Sequence, residues 1–237
     1  MEANYILFSK AIFDGVKEQP FPGFVAIRDN RIIGVGPEQD GWEFCGSNTR
    51  VYEFEDKLVM AGFHDSHTHL LLAGMFQTYV NLINAKSEKE AAEMVMNDAG
   101  ESNDPDKWII GFGWYHVFWD NKKLPTKKTL DRYFLDTPVF LINAEAHGAW
   151  VNSKALEVAQ ITKETPNPFG GEIERDLDGE ATGFLYEAAT GLVGRYALQF
   201  TPEREKELIQ AFQSSAAENG ITSINDVQPY FHGNMGN

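Results

Sequence analysis

Hydrophobic positions in the N-terminal part of the chain come in short runs with no helical period. Tyr5-Ile6-Leu7-Phe8 precedes Asp14-Gly15, a turn signal. Phe24-Val25-Ala26-Ile27 and Arg31-Ile32-Ile33-Gly34-Val35 flank Asp29-Asn30, which predicts a β-hairpin with a short polar turn. Val51-Tyr52-Glu53-Phe54 predicts a further strand, so the chain opens with a small β-unit. Leu58-Val59-Met60-Ala61-Gly62-Phe63 differs from these. It is a continuous apolar run, as expected of a strand buried on both faces in a parallel sheet or barrel.

Helical and strand periods then alternate. Ser87-Glu88-Lys89-Glu90 is a capping box opening a helix that carries Ala91, Ala92, Met94 and Val95, with a break at Asn103-Asp104-Pro105-Asp106. Trp108 to Trp114 reads as a strand, Pro125-Thr126 introduces a short helix through Leu130, and Val139-Phe140-Leu141-Ile142 follows the Asp136-Thr137-Pro138 turn as a buried strand. Residues 163–182, rich in Gly, Pro and acidic groups, predict a surface loop. Thr201-Pro202 starts a helix with a capping Thr, a Pro suited to the first position, and Glu203 and Glu205 at the positive end of the dipole. Leu208, Ile209, Phe212, Ser215 and Ala216 share one face of it, Asn219-Gly220 ends it, and Ile221 to Val227 is a strand. This helix-to-strand step fits an α/β repeat.

Composition adds limits. Aromatic residues make up 13% of the 237 positions, which suggests a sizeable core or an aromatic-lined cavity. A formal net charge of −15 disfavours nucleic acid and anionic membrane surfaces as partners. The single cysteine, Cys45, allows no intramolecular disulfide. No signal peptide and no membrane-spanning run is read, so a cytoplasmic location is the expectation.

The apolar run leads directly into His67-Thr68-His69. Strand residues i and i+2 project to one side, so two imidazoles at this spacing can converge on one metal ion. Asp65 shares that side and could support the ligands or anchor the turn.

Met60-Ala61-Gly62-Phe63-His64-Asp65-Ser66-His67-Thr68-His69-Leu70 resembles the first barrel strand of the amidohydrolase superfamily, with Ala61 where Pro is usual. Gly111-Phe112-Gly113-Trp114, Leu124-Pro125-Thr126, His147, Trp150-Val151-Asn152-Ser153-Lys154-Ala155-Leu156 and Gly183-Phe184-Leu185-Tyr186-Glu187-Ala188 follow in order. The series is similar to the YtcJ-like branch, which includes N-substituted formamide deformylases. The Trp150 to Ser153 stretch argues against a phosphoesterase with the same His-x-His pattern.

The resemblance implies an α/β fold: part of a (β/α)8 barrel, with N-terminal strands of a small β-sandwich domain. Residues 1–58 would belong to the sandwich, and 59–237 to the first part of the barrel, with a long insertion at about 85–200. It implies one or two divalent metals, zinc first among them, held by His67, His69 and a bridging Glu187. It implies hydrolysis of a non-peptide C–N bond, of amide or formamide type, through a metal-activated water, with a small-molecule amide as substrate. Glu187 and His147 are the catalytic candidates, each weighed against a structural role. Trp114, Tyr115, His116 and Trp119 are candidates for lining a substrate cavity, weighed against core packing. Asn225 and Asp226 could face the barrel mouth. Two further His ligands and a catalytic Asp of the family pattern find no counterpart after Val227. A truncated chain is therefore expected, inactive alone, and its exposed barrel edges would make it self-associate, pair with another chain or be poorly soluble. A non-catalytic remnant that serves in binding or assembly is the alternative.

Overall fold

The hairpin at Asp29-Asn30 organises the first sheet of the computed structural model, which describes residues 1–99 and 107–227. Both turn residues adopt positive φ, 47° and 59°, as the tight turn between right-twisted strands requires. The turn joins β2 (Phe21–Arg28) to β3 (Arg31–Pro37). β2 also pairs antiparallel with β1 (Tyr5–Phe13), longer than the predicted run. β4 (Arg50–Glu53) and β5 (Leu58–Met60) lie parallel to β1, one beside Tyr5–Phe8 and the other beside Ala11–Phe13. Ala3, Ile6, Phe8, Phe24 and Ala26 form the core of one face. A 3₁₀ turn, Glu38–Phe44, packs there through Gly41, where a Cβ would meet the Phe8 and Phe24 rings.

The chain forms two compact units, Met1–His64 with Gly220–Ser223, and Asp65–Asn219 with Ile224 onward. The boundary falls within β6 (Phe63–Thr68) and β13 (Ile221–Asp226), which pair as a separate two-stranded sheet. Phe63 N–H donates to Gly220 and Val227 N–H to the Thr68 carbonyl, so the two strands run in the same direction. The apolar run from Leu58 to Phe63 is thus not the doubly buried strand predicted. It breaks at Ala61-Gly62 and serves two sheets, and Leu58 and Phe63 are 54% and 57% exposed. Among the described residues β6 pairs only with β13, which leaves its other edge unpaired.

The second unit is built on a six-stranded sheet ordered β11-β12-β10-β9-β8-β7. Its strands are β7 (Val80–Asn81), β8 (Ile109–Trp114), β9 (Val139–Asn143), β10 (Gly148–Val151), β11 (Gly171–Arg175) and β12 (Ala181–Glu187). β7, β8 and β9 are mutually parallel, and the remaining pairings are antiparallel. Alternate residues face opposite layers. Phe140, Ala149, Val151 and Leu185 pack with α1 (Leu70–Thr78), α4 (Ser153–Val158), α5 (Thr190–Ala197) and α6 (Pro202–Glu218). Val139, Leu141, Trp150 and Phe184 pack with α2 (Glu88–Ala99) and α3 (Lys127–Leu130). The fold is mixed α/β.

The predicted caps are present. Ser87 Oγ accepts the Glu90 N–H at 3.1 Å, and Thr201 Oγ1 accepts that of Arg204 at 3.2 Å. Gly220 ends α6 at φ +75°. The predicted loop at 163–182 contains β11, an edge strand that buries Ile173 alone, and therefore gave too little apolar signal. β7, β10, β12, α1 and α5 were also not predicted as elements. The expected break at Asn103 to Asp106 lies outside the described residues, as does the chain from Gln228, including His232. No described helix is long and apolar enough to cross a membrane.

Candidate functional site

β6 delivers His67 near its end, and His69 stands immediately before α1. Their rings are edge-on, with centroids 5.4 Å apart. Asp65 Oδ1 accepts the His67 backbone N–H at 3.0 Å, so this carboxylate anchors the backbone of the motif. On the neighbouring strand Asp226 Oδ1 accepts the Leu70 N–H at 3.3 Å, placing a carboxylate at the first turn of α1. His67 is exposed and His69 half-buried. The Nδ1 of His69 is buried and has no hydrogen-bond partner, an open donor or acceptor position that normally needs an occupant. His64 is engaged elsewhere, with Nδ1 2.7 Å from Ser223 Oγ.

A second group of polar side chains gathers at the ends of β8, β9 and β12. β12 ends on Glu187, which adopts φ +46°, a conformation that costs energy outside glycine. The Glu187 N–H donates to the His147 carbonyl at 2.9 Å, and His147 Nδ1 lies 3.1 Å from Glu187 Oε2. Both side chains are open to solvent, at 67% and 56% exposure. The hydrogen bond to Glu187, followed by its charge, raises the His147 pKa above the ordinary 6.5. Tyr115 donates its hydroxyl to Glu145 Oε1 at 2.9 Å, and this bond raises the phenol pKa. Burial lowers the His116 pKa, with the Glu145 charge opposing it, and the buried Nδ1 of His116 lacks a partner.

The candidates read from the sequence therefore divide. His67 is brought to His69, and His147 to Glu187. Among the described residues no group of three or more His, Cys, Asp or Glu side chains is set to hold a metal, so Glu187 is not gathered with His67 and His69. His116 stands at the polar edge. For Trp114 and Trp119 the cavity-lining expectation is corrected to core packing. Both are fully buried, and their indole N–H groups donate to the Leu141 and Ala85 carbonyls. Trp150 and Phe184 pack edge-on against Trp114. Glu145 and Asn143 were missed. Their only sequence signal is proximity to His147, and an isolated Glu or Asn in a loop is ordinarily just exposed.

A family model described as the amidohydrolase family matches residues 50–235. The chain belongs to the amidohydrolase family. This amidohydrolase-family chain is 33% identical to Protein LONG AFTER FAR-RED 3 of Arabidopsis thaliana, over 98% of the chain and 39% of that protein. It is 30% identical to N-substituted formamide deformylase of Arthrobacter pascens, over 85% of the chain and 38% of that enzyme. It is also 30% identical to the putative amidohydrolase YtcJ of Bacillus subtilis, over 89% of the chain and 40% of that protein. These relatives bear out the YtcJ-like resemblance. An uncharacterized metal-dependent hydrolase from Pyrococcus horikoshii superposes with a TM-score of 0.67 at 25% identity, covering 93% of this chain and 42% of that one. The amidohydrolase chain thus spans about two-fifths of the length of the curated relatives it matches.

Proposed function

We propose that this chain is the first part of a metal-dependent amidohydrolase that hydrolyses a non-peptide C–N bond of amide or formamide type in a small molecule. The observation that carries the reading is the His67 and His69 pair at the end of β6. The two rings are close enough to offer one nitrogen each to a single ion, and His69 has a buried ring nitrogen without a partner. This donor chemistry fits a divalent ion such as zinc, whose four-coordinate sites take imidazole and carboxylate ligands. Glu187 is proposed as the carboxylate that joins them in the complete site. The ion, when bound, supplies Lewis acidity towards the substrate carbonyl and a lowered pKa for water.

The chain's own residues take the remaining roles. His147, held at Nδ1 by Glu187, turns its other ring nitrogen to solvent and so to a substrate. It can accept or donate a proton there. His116 contacts the substrate, with Trp114 and Trp119 packed behind it as rigid support. Residues 1–58 are assigned to a β-sandwich domain and 59–237 to the barrel with a long insertion at about 85–200. Support for the insertion comes from the direct pairing of β6 with β13, while most of the chain between them builds a sheet of its own. Support for the family chemistry comes from the name of the Arthrobacter pascens relative, a formamide deformylase. By itself the chain is expected to lack turnover, because two imidazoles leave a four-coordinate ion short of ligands.

The test is metal retention. After dialysis with zinc, a protein extended to the full length of its relatives is expected to hold at least ~10-fold more metal than its His67→Ala, His69→Ala double variant, while the present chain alone binds weakly. Equal metal in the two would refute the assignment. A screen of amides and formamides with added zinc is expected to show no turnover by the chain alone, and His67-dependent turnover would overturn that part.

A further inference from the structure

The loop between β9 and β10 carries both Glu145 and His147, and it is organised from below by one buried side chain. Asn143 is the last residue of β9 and is 6% exposed. Its side-chain carbonyl oxygen accepts two backbone N–H groups, from His147 and from Gly148, each at 3.1 Å. Its own backbone carbonyl accepts the Ala146 N–H, also at 3.1 Å. Three consecutive N–H groups therefore converge on one residue. Ala146, in the middle of the turn, is held at φ 58°. An alanine leaves that region readily unless its neighbours hold it there.

We propose that Asn143 is a positioning residue that fixes the backbone of His147, so that the imidazole meets Glu187 through Nδ1 and presents Nε2 outward. Its chemical sense rests on the role proposed above for His147 and Glu187. The geometry leaves little else to do the holding. The His147 carbonyl is fixed from the β12 side by the Glu187 N–H. The His147 N–H is fixed from the β9 side by Asn143. With both ends of the residue set, the side chain reaches Glu187 Oε2 at 3.1 Å although the ring is mostly in solvent. An exposed histidine without such a frame would sample several rotamers and lose the contact for much of the time. A carboxylate on Nδ1 selects the tautomer that carries its hydrogen there, which leaves Nε2 free as an acceptor in the neutral ring. The second half of the same loop is tied separately. Ala144 N–H donates to the Trp114 carbonyl, and Glu145 receives the Tyr115 hydroxyl. Asn143 therefore acts on the His147 half.

The experiment is solution NMR on the full chain, with three variants. In wild type the His147 ring is expected to show the Nδ1–H tautomer in its nitrogen signals and cross-relaxation with the Glu187 side chain. Asn143→Asp keeps an oxygen acceptor at the same reach and is expected to preserve both signatures. Asn143→Ala is expected to lose the cross-relaxation and to return the ring to the Nε2–H tautomer of a free histidine, while amide signals of β8 and β12 stay in place. Should Asn143→Ala fail to fold, Asn143→Ser decides the same point, because its hydroxyl is too short to reach both N–H groups. Retention of the Nδ1–H tautomer and of the Glu187 contact in a folded Ala or Ser variant would overturn the proposal. Neither signature depends on metal or turnover, so failure of the metal-retention test leaves this result standing, and the reverse holds as well.

Discussion

Replacing Asn152 by alanine should destabilise the second unit more than any other single polar-to-alanine change near β10. Asn152 is fully buried. Its Oδ1 accepts the N–H groups of Val139 and Ala155, each at 3.0 Å. Its Nδ2 donates to the carbonyls of Phe134 and Thr137, at 2.8 and 2.9 Å. One amide thus starts β9, caps α4 and closes the turn after α3. Each bond contributes about 1 kcal/mol net, and stranding a buried partner costs at least as much. Four bonds give roughly 4 kcal/mol, a large share of the ~5–15 kcal/mol by which domains of this kind are stable. Asn152→Asp keeps the two accepted bonds but sets a carboxylate against two carbonyl oxygens, and should be at least as damaging. Urea unfolding followed by tryptophan fluorescence reads the second unit, which holds every Trp but Trp42. Ser153→Ala, an exposed neighbour bonded to Asp131, is the control and should cost under ~1 kcal/mol. If Asn152→Ala costs no more than that control, the hub reasoning is refuted.

Two further outcomes follow from particular contacts. His147 should titrate by NMR with a midpoint above 6.5 and return towards 6.5 in Glu187→Gln, since the Glu187 bond favours the charged ring. With the folded pKa raised, its small stabilising effect is present below pH 6.5 and is lost as pH rises through the raised value. A wild-type midpoint at or below 6.5 would contradict the pairing. Gly74→Ala should destabilise by ~1–3 kcal/mol, because a Cβ there collides with the Leu208 carbonyl where α1 crosses α6. Helix propensity alone predicts the opposite sign, a gain of ~1 kcal/mol, so a thermal melt distinguishes the two by direction.

What the sequence determined by itself was local. Asp29-Asn30 with flanking apolar runs specifies a turn that only residues tolerant of positive φ make easily, and both adopt it. Ser87 and Thr201 cap their helices because a hydroxyl two or three residues from an unpaired N–H needs no distant partner. The two-residue spacing of His67 and His69 predicts neighbouring rings, and their centroids lie 5.4 Å apart. Tertiary structure decided whatever depended on residues far apart in the chain. The apolar run from Leu58 to Phe63 looked like one buried strand, but burial depends on neighbours, and β1 and β13 each took a different half of it. Trp114 looked like cavity lining. A register shift in β8 at Gly113, which sits at φ +93°, brings it into the layer of Ile109, away from that of Ile110 and Phe112. The pairing of His147 with Glu187 joins residues forty positions apart. The antiparallel register of β10 on β12 brings them to the same edge, and that register is fixed by which faces of the two strands are buried. Asn143 and Glu145 were invisible for the same reason. A side chain that holds a loop is recognisable only once the loop has a shape, and that shape is set by the strands packed on either side of it.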